Sequence, residues 1–204
     1  MKRIGVTTLG VVIAMMGALL TVGWHSGKQA PANPDGPKYT ADNQLVRPEN
    51  YREWVWLSSG LGMTYGPIAE SAQNGEPAFD NVFVAPAAYR SFLQTGKWPD
   101  KTVLVLEVRS SSSQGSINKG GHFQTDKLGI QAEVKDESRT PGKWAFYRFQ
   151  GPSGSGTLFP SSASCYSCHS LNGAVDNTFV QFYPTLLEVA KRKGTLQAGA
   201  ETKQ

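Results

Sequence analysis

The chain has 204 residues, 39% of them hydrophobic and 18% charged, with 22 glycines and 12 prolines. That mixture excludes collagen-like, coiled-coil and wholly disordered classes, and it suits a single domain with its own core. A formal charge of +4 that is not clustered excludes nucleic acid as the expected partner.

Lys2 and Arg3 precede an uncharged run from Ile4 to Val22, which is the layout of a secretory signal over residues 1–24. The apolar run is also long enough to span a bilayer, so an uncleaved N-terminal membrane anchor stays open. Both readings leave the two cations inside and put the rest of the chain outside the cytoplasm, in the periplasm. Residues 25–47 are polar, carry Pro31, Pro34 and Pro37, and read as a linker. Residues 48–194 then form one domain, and 195–204 read as a flexible tail.

Within that domain, Pro48 to Glu53 suggests a short helical turn before the apolar run Trp54 to Leu57. Asn81 to Ala85 is strand-like. Pro86 suits a first helical position, and Gly96 suits the stop of that helix. Thr102 to Val108 is the clearest strand, and the Ser/Gly-rich stretch Ser110 to Gly121 reads as a loop. Ile130, Ala132 and Val134 alternate with polar neighbours, as in a half-buried strand. Trp144 to Phe149 is a further strand, entered through a Pro141-Gly142 turn. Gly151 to Ser164 reads as a second flexible loop. Pro184 to Lys193 closes as a helix whose last turn is basic and is followed by Gly194. The expected class is α+β: a mainly antiparallel sheet with a few flanking helices.

The chemistry lies in Cys165-Tyr166-Ser167-Cys168-His169, which contains both cysteines of the chain. Cys-x-x-Cys-His is the attachment signature of haem c. Two thiols three residues apart can each bond a vinyl group, and the adjacent His169 is delivered under the iron as its axial metal ligand. A zinc site lacks its further cysteines. A thioredoxin-type pair would open a helix after a strand in an α/β unit, not after a Gly/Ser loop. One covalent haem c on a C-terminal helix is therefore expected. Of four methionines only Met63 lies outside the leader, and the other histidines are His25 on the linker and His122 beside two glycines. His122, Phe123 and Lys119 are candidates for the distal side. With so few second ligands, the iron is expected to keep an open sixth position, as small-molecule chemistry requires.

Several upstream blocks, taken with the late haem motif, carry a family resemblance. They are Tyr51-Arg52-Glu53-Trp54, Phe79-Asp80-Asn81-Val82-Phe83-Val84, Pro86-Ala87-Ala88-Tyr89 and Thr95-Gly96-Lys97-Trp98-Pro99-Asp100. Over roughly residues 48–193 the chain resembles the cytochrome P460 family. The resemblance implies an antiparallel β fold, often dimeric, with one haem c, His169 as proximal ligand and an open distal face. Some members oxidise hydroxylamine or convert nitric oxide. The related cytochromes c′-beta bind nitric oxide or carbon monoxide behind an apolar cap. Hydroxylamine-oxidising members add a lysine–haem bond and a carboxylate near the distal site. Here Lys119, Lys127 and Lys135 are the candidate lysines, and Glu107 and Glu133 the candidate catalytic carboxylates. Phe83, Phe123, Trp144, Phe146 and Phe149 are candidates for the cap. Two functions stay open: an oxidoreductase acting on hydroxylamine or nitric oxide and served by a redox partner cytochrome, or a gas-binding or electron-transfer cytochrome without turnover.

Overall fold

The structure, a computed structural model, describes residues 34–64, 75–141, 144–151 and 154–200. The leader, His25, Pro31 and Gly142 lie outside the described residues. The elements in chain order are β1 (Leu45–Val46), β2 (Val55–Leu61), β3 (Phe79–Val84), α1 (Pro86–Thr95), β4 (Thr102–Ser112), β5 (Phe123–Lys135), β6 (Trp144–Phe149), β7 (Ser155–Leu158), α2 (Ser164–Asn172) and α3 (Pro184–Lys193). A single turn of 3-10 helix at Tyr51–Glu53 precedes β2.

The seven strands form one antiparallel sheet in the order β1-β7-β6-β5-β4-β3-β2. With the three α-helices this is the α+β architecture expected. Helix α1 begins at Pro86 and stops where Gly96 turns left-handed at φ 71° and donates its N–H to the Phe92 carbonyl at 2.7 Å. A positive φ costs glycine little, so the stop falls where the sequence puts it.

Register fixes the two faces of the sheet. Residues directly opposite each other in neighbouring strands share a face. Phe146 pairs with Glu133, Glu133 with Leu104, and Leu104 with Val84, so these four side chains stand on one face. Phe149, Ile130, Glu107 and Asn81 align in the same way on the other. Helix α2 packs against β6, and α3 packs against α1 and β2.

Four expectations are corrected. Part of the stretch read as linker is packed: Leu45 is buried and β1 pairs with β7. Because β1 and β2 lie at opposite edges of the sheet, residues 47–54 cross it, and Tyr51 reaches the Glu107 face. Residues 195–200 of the expected tail are also tied down, by Thr195 Oγ1 donating to Gly96 O at 2.8 Å and by the burial of Ala200. The β4–β5 hairpin is longer than its apolar centre, since Ser111 and Ser112 pair with Gln124 and Phe123. That tip is mostly exposed and shows no apolar alternation. Finally, β7 lies inside the expected Gly151–Ser164 loop. The Phe149 ring covers Gly156 so closely that a Cβ there would meet it at 2.8 Å, so the strand depends on having no side chain at that point.

Glu107 is buried and takes hydrogen bonds from Tyr51 Oη, from Arg52 Nη2 at 2.5 Å and from Arg109 Nε at 2.6 Å. Burial pushes its carboxyl up, but these donors outweigh burial and hold it below the ordinary carboxylate range. The native state therefore releases this proton more readily than the unfolded chain does. The stability it supplies is present above the ordinary carboxylate pKa and is lost as pH falls through the lower native value. Glu107→Gln is expected to flatten the acid limb of a stability profile measured by urea unfolding. An acid limb as steep as that of the unmodified protein would refute this.

Candidate functional site

Helix α2 carries Cys165, Cys168 and His169. Its C-terminus is followed by Gly173, which makes a tight exit: a Cβ at Gly173 would lie 2.7 Å from Asn177 Cα and 2.7 Å from the His169 carbonyl. The chain then reverses in a two-residue hairpin. Val175 and Thr178 bridge, and Asp176 and Asn177 between them have φ of 49° and 60°. Positive φ at both central residues is the I′ arrangement, which Asn and Asp tolerate better than most residues.

This hairpin presents the Asn177 carbonyl to His169 Nδ1 at 2.9 Å. A carbonyl can only accept, so the proton sits on Nδ1 and the lone pair on Nε2. The His169 ring is held between Phe146, with centroids 4.6 Å apart, and Phe179, at 4.3 Å. Phe146 also meets Tyr166 edge-on at 4.9 Å. Both cysteines are free and partly exposed, and burial pushes the Cys165 thiol up. Two available thiols on one helix, with an imidazole oriented to offer Nε2, are the donor set that a covalently held haem uses. Among the described residues no group of three or more His, Cys, Asp or Glu could hold a bare metal ion. The residues present therefore fit a haem and do not fit a zinc centre.

Glu133 is the one candidate carboxylate brought to the motif. Its Oε2 lies 3.5 Å from His169 Nδ1, is buried and has no hydrogen-bond partner. Burial pushes its carboxyl up, opposed by the charge of His169. Because it stands on the Nδ1 side, Glu133 backs the ring and does not face the ligand that Nε2 would hold. Glu107 stands on the opposite face of the sheet, saturated by Tyr51, Arg52 and Arg109, so a role for it at the haem is not supported.

The candidates on the hairpin tip also lie elsewhere. Phe123 opens β5 and Glu133 lies near its end, so they are roughly 30 Å apart at the rise of a strand. His122 Nε2 is paired with Glu76 Oε2 at 2.8 Å, and Ser113 Oγ donates to the other Glu76 oxygen at 2.7 Å. Lys119 is exposed on the same tip, and Lys127 pairs with Arg109 in the β4–β5 ladder. Lys135 does lie near the motif, but its Nζ donates to Asp176 Oδ2 at 2.6 Å. Met63 folds over Gly60 on the edge strand β2.

Of the cap candidates, Phe146 and Trp144 share the face that meets α2, whereas Phe83 and Phe149 are on the other. Sequence reasoning missed Phe179, Asn177 and Gly173. Their signal was proximity to the motif: a glycine and an Asp-Asn pair within a few residues of His169 mark a tight reversal there.

A family model described as Cytochrome P460 matches residues 48–180. No curated protein matches the chain.

Proposed function

The chain belongs to the cytochrome P460 family, and from that premise we propose that it is an exported mono-haem c-type cytochrome that binds or oxidises small nitrogen compounds, hydroxylamine or nitric oxide. Family membership brings the haem and its iron. The observation that carries the finer reading is the pairing of His169 Nδ1 with Asn177 O, which leaves Nε2 to the iron. In this reading Cys165 and Cys168 hold the haem through thioethers, and His169 is its proximal ligand. When bound, the haem would supply a one-electron redox centre able to take a small ligand. Asn177 O keeps the proton on Nδ1. Phe146 and Phe179 hold the plane of the ring and exclude water from it. A periplasmic redox partner would exchange electrons with the bound haem.

A second reading, a gas-binding or electron-transfer cytochrome without turnover, is favoured by the lysines. Lys119 and Lys127 lie toward the far end of the β4–β5 hairpin, and Lys135 is engaged by Asp176. None of the three is free beside α2 to bond a haem.

The ferric protein is expected to show a high-spin, five-coordinate spectrum. A low-spin, six-coordinate spectrum would overturn the open-iron reading. The mass of the haem peptide after digestion separates the two functions. A haem bonded to the Cys165–Cys168 peptide alone supports the second, and a further peptide bonded through lysine supports the oxidoreductase.

A further inference from the structure

His169 gets its orientation from a backbone carbonyl, and a carbonyl is only as well placed as the turn that carries it. The Val175–Thr178 hairpin is short, and two non-glycine residues in it have positive φ, a conformation that costs energy and needs support from outside. That support is visible and comes from distant parts of the chain. Trp98 Nε1 donates to Thr178 Oγ1 at 2.8 Å, and both residues are buried. Lys135 Nζ bridges Asp176 Oδ2 at 2.6 Å and the Trp98 carbonyl at 3.0 Å. Ala174 and Val175 are buried beneath the turn, and Gln197 N–H donates to Ala174 O at 2.8 Å. One flank of the acceptor residue Asn177 is thus held by Lys135 and the other by Trp98.

We propose that Trp98, Lys135 and Asp176 are positioning residues that lock the Val175–Thr178 turn, so that Asn177 O sets the tautomer and plane of His169 and thereby the electron donation of the proximal ligand. This rests on His169 being that ligand. It gives a role to the Thr95–Asp100 block, which lies far from the haem motif in sequence: its tryptophan is the buried anchor of the turn. It also accounts for Lys135, which holds this turn and is not spare. The physical basis is that the partner of the second imidazole nitrogen governs the basicity of a metal-bound histidine, and a loosened partner weakens it.

The test uses the full-length holoprotein. Trp98→Phe removes the indole donor, and Lys135→Met removes the ion pair. Lys135→Arg keeps the charge, and Val105→Ala is a core control on the opposite face. The readouts are the iron–histidine stretching band of the ferrous protein in resonance Raman and the reduction potential. Trp98→Phe and Lys135→Met are expected to shift the band to lower frequency and the potential upward. Lys135→Arg and Val105→Ala should leave both in place even where thermal stability drops. If the band and potential of Trp98→Phe and Lys135→Met match the unmodified protein, the lock is refuted while the haem reading stands. Absence of any iron–histidine band in the unmodified protein would overturn the proximal role of His169 and the lock with it. Should Trp98→Phe fail to fold, Asp176→Asn breaks the same ion pair at a partly exposed position and is read in the same way.

Discussion

Replacing His169 with alanine is expected to abolish proximal ligation while leaving the haem bonded to the chain. In the proposed reading the two attachments are separate: Cys165 and Cys168 would supply thioethers, whereas Nε2 of His169 would bind the iron. The variant should therefore retain haem through acid–butanone extraction, yet lose the absorption bands of a histidine-ligated iron. Added imidazole should restore much of the spectrum, because Phe146 and Phe179 still outline the slot between which the ring sat. The complementary pair Cys165→Ser and Cys168→Ser should make the haem extractable. An unchanged His169→Ala spectrum would refute the proximal role. The effect should be close to all-or-none, since no other described histidine lies within reach: His122 sits on the tip of the β4–β5 hairpin, paired with Glu76.

The second large effect concerns the core beneath the site. Phe92 is wholly buried on α1, and its ring lies 4.4 Å from that of Trp98. Phe92→Ala removes an aromatic ring from a fully buried position against Trp98, on a helix that packs against α3. Substitutions of this kind cost about 3–5 kcal/mol. For a domain of this size each kcal/mol lowers the midpoint by roughly 2–4 °C, so thermal unfolding should move down by on the order of 10 °C. A shift of only a degree or two would mean that the site repacks and that Phe92 is not a keystone. The same cavity opens beside the indole that anchors the His169 turn. Phe92→Ala should accordingly disturb the iron–histidine band as well as stability, which a cavity on the far face, as in Val105→Ala, should not do.

Much of this molecule is legible locally. Pro86 and Gly96 bracket α1, Pro184 and Gly194 bracket α3, and both helices begin and stop where those residues put them. Trp144 to Phe149 reads as a strand and is one. These signals depend on backbone chemistry within a few residues: a fixed φ at proline, a left-handed φ at glycine, an apolar run of strand length. The elements that were not legible have no such local signature. β7 is a short Ser/Gly stretch made into a strand by β6 and β1 on either side. Leu45 sits in a polar, proline-rich stretch and is buried because residues 47–54 must cross the sheet between its two edges.

The division is sharpest at the site. The sequence by itself pointed to a haem, because two thiols and an imidazole at Cys-x-x-Cys-His spacing stand together on one short helix. It also determined the family, through motifs spread over the whole domain. It left Glu107 and Glu133 equivalent, two carboxylates on strands. Only the register of β4 against β5 decided between them. Strand period two puts Glu107 on the face sealed by Tyr51, Arg52 and Arg109, and Glu133 on the face that receives α2. In the same way only tertiary contact joined Trp98 and Lys135 to the turn behind His169. Those residues are far apart along the chain, and hydrogen bonds between distant segments leave no periodic trace in any one of them.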